Sequence, residues 1–454
     1  MTDKVLKKIE GTIDKYGLLE KNDRVLVALS GGADSVFLLN ILLVLREKYN
    51  LHVFAAHVNH LLRGKDADED ENFCKKLCKE KGVPLFVKRE NVALLAKEQS
   101  VSDEVAGRMV RYGFFYEIKE KEKINKIATA HNADDNAETS LYRFIRGSGV
   151  RGLAGIPYKN GDIIRPVLDV TRKEIEEFLK EYNFSFVTDK TNFEEIYTRN
   201  ILRLSLIPKI EKEINRGFKK SLLSNISLYN ECADFLEECT ENTFSGCARF
   251  NGKFVEIDRD KLLGNHSFIQ KSVLKKAINA LGSEDTSENV GFCITVLENK
   301  KSSVNISGNI TVESKYGKLY FYKEKAKPFI YENVSEYVEI KETGAVITFS
   351  DCEKIEKNAG KNVFFADKNK LCNIMVRSKK DGDFFYPSGR KNQKVKLKDF
   401  FINNKIPSFL RNEIPIVCSG DDVVWIAGFR RDKRFEANEN TTNILKMEII
   451  CGGD

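Results

Sequence analysis

The residues best suited to chemistry are Ser30-Gly31-Gly32-Ala33-Asp34-Ser35, which follow the apolar run 24–29 and open into an apolar, helix-length stretch from Ser35 to about Lys48. Glycines without Cβ let a backbone curl closely around phosphate oxygens. The N–H groups freed in such a turn, with a helix N-terminus behind them, present partial positive charge to an anion. The hydroxyls of Ser30 and Ser35 add donors. No Gly-Lys-Ser/Thr ending is present, so this is not a Walker A loop. A tight strand–helix turn capped by Ser or Asp is the plain alternative, and six such residues in a strand–helix context weigh against it. Asp34 is the informative member: a carboxylate beside phosphates is unfavourable unless it binds a metal ion, which implies Mg²⁺.

A second cluster is His131-Asn132-Ala133-Asp134-Asp135-Asn136-Ala137-Glu138-Thr139. Asp134 and Glu138 are one helical turn apart, so both carboxylates are expected to point toward one cavity. A capped helix with acids complementing its dipole explains one Asp, but not three carboxylates and a His. Glu104, Arg108, Arg111 and Tyr112 share a helix face, for which spacing alone favours a solvated, salt-bridged surface. The loop 146–155 joins four glycines to Arg146 and Arg151, and its place after the acidic helix suits closure over an anionic substrate.

These residues need a scaffold, and the first 200 residues supply the pattern of one. Runs at 24–29, 51–58, 85–87 and 124–130 read as strands, and 35–48, 66–81 and 135–145 as helices. The alternation predicts an α/β fold with a doubly wound parallel sheet over 1–208. Ligands in such sheets sit outside the carboxyl ends of the strands, where the turn at 30–35 and the cluster at 131–138 converge. Beyond Pro208 the pattern becomes a mainly helical middle domain, 209–330. Its first helix, 209–238, spaces Ile210, Ile214, Phe218, Leu222 and Ile226 by four, and helices and short strands mix from 243 to 322. The charged segment 323–342, with Pro328, reads as a link, and 331–371 as linker. A small α+β domain, 372–454, follows, with a short helix at 397–403.

Composition bounds the function. A chain of 454 residues with 42% hydrophobic and 31% charged residues is globular and long enough for two to four domains. The net charge of +7 is mild, so its distribution matters more than its sum. No apolar stretch approaches the ~20 residues of a membrane helix. The N-terminus is polar, which points to the cytoplasm and away from a membrane. Ten cysteines without a CxxC pair, and five dispersed histidines, argue against a zinc site and for free thiols. Between 377 and 411, ten Lys/Arg (377, 379, 380, 390, 391, 394, 396, 398, 405, 411) stand against three Asp (381, 383, 399). Interleaved with Phe384, Phe385, Tyr386, Phe400 and Phe401, they make a phosphate-contacting surface, against the plain alternative of a solvated charged face.

Together these motifs resemble one family, the tRNA(Ile)-lysidine synthetases of the PP-loop type. The resemblance runs through 30–35, His57-Val58-Asn59-His60-Leu61-Leu62-Arg63-Gly64, Glu104…Arg108…Arg111-Tyr112, 131–138 and 146–155. It continues with Thr188-Asp189-Lys190-Thr191-Asn192…Arg199-Asn200…Arg203…Pro208 and, from Val376-Arg377-Ser378 to Gly428–Arg430, the carboxy-terminal domain. It implies an adenine-nucleotide α-hydrolase fold and an enzyme that attaches L-lysine to C2 of the wobble cytidine in the CAU anticodon of tRNA(Ile). ATP adenylates the C2 oxygen with loss of pyrophosphate, and the lysine ε-amine then displaces AMP.

Carried onto this chain, the resemblance implies ATP binding by Ser30, Gly31, Gly32, Ala33, Asp34, Ser35, His57 and Arg111. It implies Mg²⁺ on Asp34 and Asp134, and catalysis by Asp34, Asp134, Asp135, Glu138 and Arg108. Arg108, Arg111 or Arg199 would offset phosphate charge, and Asp134, Asp135 or Glu138 would act as general base. Three rivals remain. A PP-loop tRNA thiolase would ordinarily use paired or cluster-ligating cysteines. A small-molecule amide ligase would not need the basic carboxy-terminal region. A non-catalytic tRNA-binding protein would not need the acidic residues.

Overall fold

Val25, Leu26 and Val27 are fully buried, as expected for a strand covered on both faces. They belong to β1 (Arg24–Ala28), which is flanked by β2 (His52–Asn59) on one side and β4 (Lys126–Ala128) on the other. With β3 (Leu85–Arg89), β5 (Lys159–Asn160) and β6 (Ile163–Ile164) they form a six-stranded sheet of order β3-β2-β1-β4-β6-β5. Every pairing is parallel except that of the edge strand β5 with β6. The computed structural model describes residues 2–62, 64–187, 198–356, 359–388 and 393–450.

Side-chain alternation divides the core. Val25 and Val27 join the cluster built on helix Ala33–Val44, and Leu26 joins Phe114, Phe115 and Ile118 of helix Asp103–Glu122 on the other face. Helix Ala33–Val44 buries nine of its 12 residues, and its Phe37 meets Phe178 of helix Arg172–Glu181 edge to face at 5.0 Å. The chain runs from β1 outward to β2 and β3, then returns to β4 on the opposite side. This reversal opens a crevice at the carboxyl ends of β1 and β4, where the two motifs meet.

The chain divides into two units, Met1–Leu236 and Glu237–Asp454. The helix expected over 209–238 is two helices, Ile207–Glu213 and Phe218–Cys247. An Asn215–Gly217 turn separates them, with the Gly217 N–H on Asn215 Oδ1 at 2.9 Å, and Ile214 is left 79% exposed. In the second unit, helices Ser267–Ala280 and Ser287–Leu297 accompany a five-stranded antiparallel sheet drawn from residues 248–322. The segment 331–371 is not a linker. Strands Tyr337–Ile340, Ala345–Cys352 and Val363–Asp367 join Ile444–Ile450 in a four-stranded sheet, whose Ile347, Phe364 and Met447 are fully buried. Charge and Pro328 made 323–342 look like a connection, whereas period-two burial of Tyr337–Ile340 and Ala345–Cys352 places those strands in a core.

Candidate active site

The turn after β1 is held from within. Ser35 Oγ accepts from the Ser30 and Gly31 N–H groups, both at 3.2 Å, and donates to the Gly32 carbonyl at 2.9 Å. Ser35 therefore braces the turn instead of offering a free donor. Gly31 has φ +91°, a conformation that favours glycine, and a Cβ there would lie a tight 3.2 Å from Cys74 Sγ. Its carbonyl accepts from the Val187 N–H at 3.0 Å. Gly32 is the N-cap of helix Ala33–Val44 and brings no capping side chain, which leaves the first-turn donors for an anion.

A cavity of about 640 Å³ lies beside the turn, lined by Ser30, Asp34, Ser35, His57, His60, Arg108, Arg111, Tyr112, His131 and Asp135. Arg108 stacks over the Tyr112 ring at 4.7 Å, so the face of helix Asp103–Glu122 bearing 108, 111 and 112 supplies the cationic wall. Glu104 does not line the cavity, nor does any residue of 146–155. That loop is pinned by Ser140 Oγ on the Leu153 carbonyl at 2.7 Å and by Arg143 on the Gly155 carbonyl at 2.6 Å. Arg151 pairs with Asp234 at 2.9 Å. His57 donates from Nδ1 to the Leu29 carbonyl at 2.9 Å, and burial lowers its pKa, so it is a neutral ring behind the turn.

The carboxylates are distributed differently from their spacing. Asp134 and Glu138 do not share the cavity. Asp134 accepts from the Arg172 N–H at 2.8 Å and from Lys219 Nζ at 2.7 Å. Glu138 is buried and takes Arg203 through Nε at 2.6 Å and Nη2 at 3.0 Å. The member of this cluster that lines the cavity with Asp34 is Asp135, and Asp70 lines it as well. Asp135 also closes a capping box with Asn132, so the helix-cap reading holds for it. Asp34 accepts from Asn132 Nδ2 at 3.0 Å and Arg172 Nη1 at 2.5 Å. Burial raises its pKa, and Arg172 works against that rise.

Sequence reasoning passed over Arg172 and Lys219 and gave Arg203 no role. Their signal is tertiary, since each meets an acid between 65 and 138 residues away. Arg203 sits in a widened turn, Leu202–Leu206, next to Pro208, which cannot donate the usual helical hydrogen bond. Arg63, 188–192 and Arg199 lie outside the described side chains.

In the second unit the basic stretch separates into core and surface. Arg377 is buried, forked onto Asp383 at 2.8 and 2.9 Å, and Arg411 is buried over the Phe401 ring. Phe385 and Phe401 are fully buried core residues, which corrects their place in a contact surface. Lys380, Lys394, Lys396, Lys398 and Lys405 are exposed, and Lys394 lies 3.5 Å over the Phe384 ring. Positions 390 and 391 lie outside the described residues.

Comparison with known proteins gives this geometry its context. Residues 1–210 match the PP-loop domain, and residues 374–449 match the TilS substrate C-terminal domain. The tRNA(Ile)-lysidine synthase of Caldanaerobacter subterraneus subsp. tengcongensis is 36% identical over 98% of this chain and 97% of its own length. The chain belongs to the tRNA(Ile)-lysidine synthase family. The Clostridium tetani member is 38% identical over 96% of this chain and 97% of its own. Among solved structures, the U34-tRNA thiolase NcsA from Methanococcus maripaludis covers 50% of this chain and 80% of its own, at 20% identity and a TM-score of 0.43. That likeness is too slight to argue from. ATP is the co-substrate of the PP-loop family, in accord with the uncapped helix beside the cavity. No helix among the described residues is long and apolar enough to cross a membrane.

Proposed function

We propose that this chain joins L-lysine to C2 of the wobble cytidine of a CAU-anticodon tRNA(Ile), in the cytoplasm, through an adenylated cytidine, releasing pyrophosphate and then AMP. The observation that carries the reading is the meeting of an open helix N-terminus, Asp34, Asp135 and the Arg108–Arg111 wall around one cavity. A pyrimidine carbonyl is a poor electrophile, so adenylation must give it a leaving group first. The 30–35 turn receives the phosphates, and Arg108 and Arg111 face the charge that develops as pyrophosphate departs.

The donors fit Mg²⁺. Among the described residues no group of three or more His, Cys, Asp or Glu forms a metal cage. Magnesium typically uses one or two carboxylates and completes its shell with water and substrate phosphate, and of the cavity's acids, Asp34, Asp70 and Asp135, Asp34 and Asp135 belong to the two motifs that meet there. Bound there, the ion would neutralise charge on the phosphates. Asp135 replaces Asp134 in this pairing because Asp135 lines the cavity and Asp134 does not. For the second step the lysine ammonium must lose a proton to a carboxylate that is not holding the ion.

Incubation with ATP, labelled lysine and the CAU-anticodon transcript tests the reading, with label expected in the RNA. Pyrophosphate release without label would leave adenylation standing and remove lysine. No release in the presence of tRNA would remove the whole assignment.

A further inference from the structure

Arg172 is a cation without a role in the assignment above, yet it holds the residue on which that assignment turns. Its Nη1 lies 2.5 Å from Asp34 Oδ2, its Nε donates to Glu176 Oε1 at 2.8 Å, and its N–H donates to Asp134 Oδ2 at 2.8 Å. The start of its helix is fixed by the capping box of Thr171 with Glu174, and Glu174 is tied in turn to Lys8 at 3.0 Å. The backbone that aims Arg172 at the phosphate turn is therefore set in advance. The side chain is 42% exposed, so it is not a buried structural ion. Two of the five guanidinium N–H donors are spent on Asp34 and Glu176, which leaves the Nη2 end for another acceptor.

We propose that Arg172 is a ligand for the terminal phosphates of ATP, parked on Asp34 until nucleotide arrives. The argument is one of charge and rests on the reading of Asp34 as a ligand of the magnesium nucleotide. Asp34 Oδ2 accepts from the guanidinium at 2.5 Å, so a divalent cation on the same carboxylate would stand close to Arg172 and repel it. With the cation bound, Arg172 keeps Glu176 but has to share Asp34 with two further positive charges. An anion of matching charge restores the balance, and the β- and γ-phosphates entering at the turn that carries Asp34 provide it. Arginine's planar fork suits phosphate oxygens, and the helix on which it sits does not have to move. α-Phosphate and adenosine make no demand on this residue, so its contribution is selective for the part of ATP that leaves as pyrophosphate.

Equilibrium titration of the full chain with ATP and with AMP, each with Mg²⁺, tests this in wild type, Arg172→Ala and Arg172→Lys. Arg172→Ala is expected to weaken ATP about tenfold, the worth of one charge-assisted hydrogen bond, and to change AMP less than about twofold. Arg172→Lys keeps the charge without the fork and recovers part of the ATP affinity. Should Arg172→Ala fold poorly by thermal melting, Arg172→Lys decides, with a loss confined to ATP expected. Equal losses for ATP and AMP, or unchanged ATP binding, would overturn the role of Arg172 alone. Wild-type protein that binds neither nucleotide would overturn the nucleotide site itself.

Discussion

Arg203 grips the buried carboxylate of Glu138 at both oxygens, Nε to Oε1 at 2.6 Å and Nη2 to Oε2 at 3.0 Å, and the same Nη2 donates to Asp135 Oδ1 at 2.9 Å. One guanidinium thereby fixes a structural acid and orients an acid of the cavity. Removing it as Arg203→Ala leaves Glu138, 3% exposed, as a charge without that partner, at a cost of about 2–3 kcal/mol. Arg203→Lys, which cannot fork, should recover less than half. The double variant Arg203→Ala/Glu138→Ala should lose less than the sum of the single losses, because the orphaned charge is gone. Thermal melting of wild type, Arg203→Ala, Arg203→Lys, Glu138→Ala and the double variant checks this, and additive losses would deny the coupling.

Gly31 shows a different constraint. Its φ of +91° strains any other residue, and a Cβ would stand 3.2 Å from Cys74 Sγ. Gly31→Ala should cost about 1–3 kcal/mol and weaken ATP binding, since the turn must shift to relieve both. Gly31→Ala/Cys74→Ala removes the crowding but not the φ strain, so only part of the loss should return. Complete rescue would show that the backbone conformation costs nothing.

What could be read from the residues was what local pattern determines. The β1 run, the glycine turn and the helix after it are visible because each is contiguous and its period unmistakable. The partners of the acids were not visible. Asp134 and Glu138 do lie one turn apart, but their directions are decided by Lys219, Arg172 and Arg203, which arrive from distant helices. The capping box at Asn132 further commits Asp135 in a way that spacing could not separate from Asp134. In the second unit, charge density was read as surface, yet Arg377 meets its one counter-charge, Asp383, and goes inside.

Glu71 predicts a response to acid. Burial pushes its pKa up, but hydrogen bonds from Arg89, Lys75 and Asn59 overcome this and bring it down to about 2, from an ordinary 4.5. A folded-state pKa below the unfolded one contributes stability that is complete above about pH 4.5 and is lost as pH falls toward about 2. Lys75 and Arg89 are half exposed, so solvent screening limits the contribution to about 1–2 kcal/mol. Glu71→Gln should be less stable at pH 7 and should lose less further stability between pH 4.5 and 2 than wild type. Urea unfolding at both ends of that window measures it, and parallel curves would remove Glu71 from the acid response. Asn59 Oδ1 also accepts from the Leu61 N–H at 3.0 Å, so a loosened network should disturb the His60–Leu62 turn at the cavity edge.

The lysines of the second unit give the RNA prediction. Truncation near 370 is not a clean test, because it removes strand Ile444–Ile450, to which Ala345–Cys352 and Val363–Asp367 are both paired. Point changes are. Lys394, Lys396 and Lys398 are exposed, so Lys394→Glu/Lys396→Glu/Lys398→Glu should leave melting within about 1 kcal/mol of wild type. It should weaken tRNA binding and flatten the dependence of log affinity on log salt by about 2–3, roughly one for each phosphate that no longer meets a lysine. Arg377→Ala should behave in the opposite way. Arg377 is 3% exposed and its guanidinium is paired with Asp383, so its loss should lower stability by about 3 kcal/mol and leave the salt slope of the surviving folded protein unchanged. The two variants separate positive charge that meets phosphate from positive charge that holds the fold. A slope unchanged in the triple variant would place the RNA surface elsewhere.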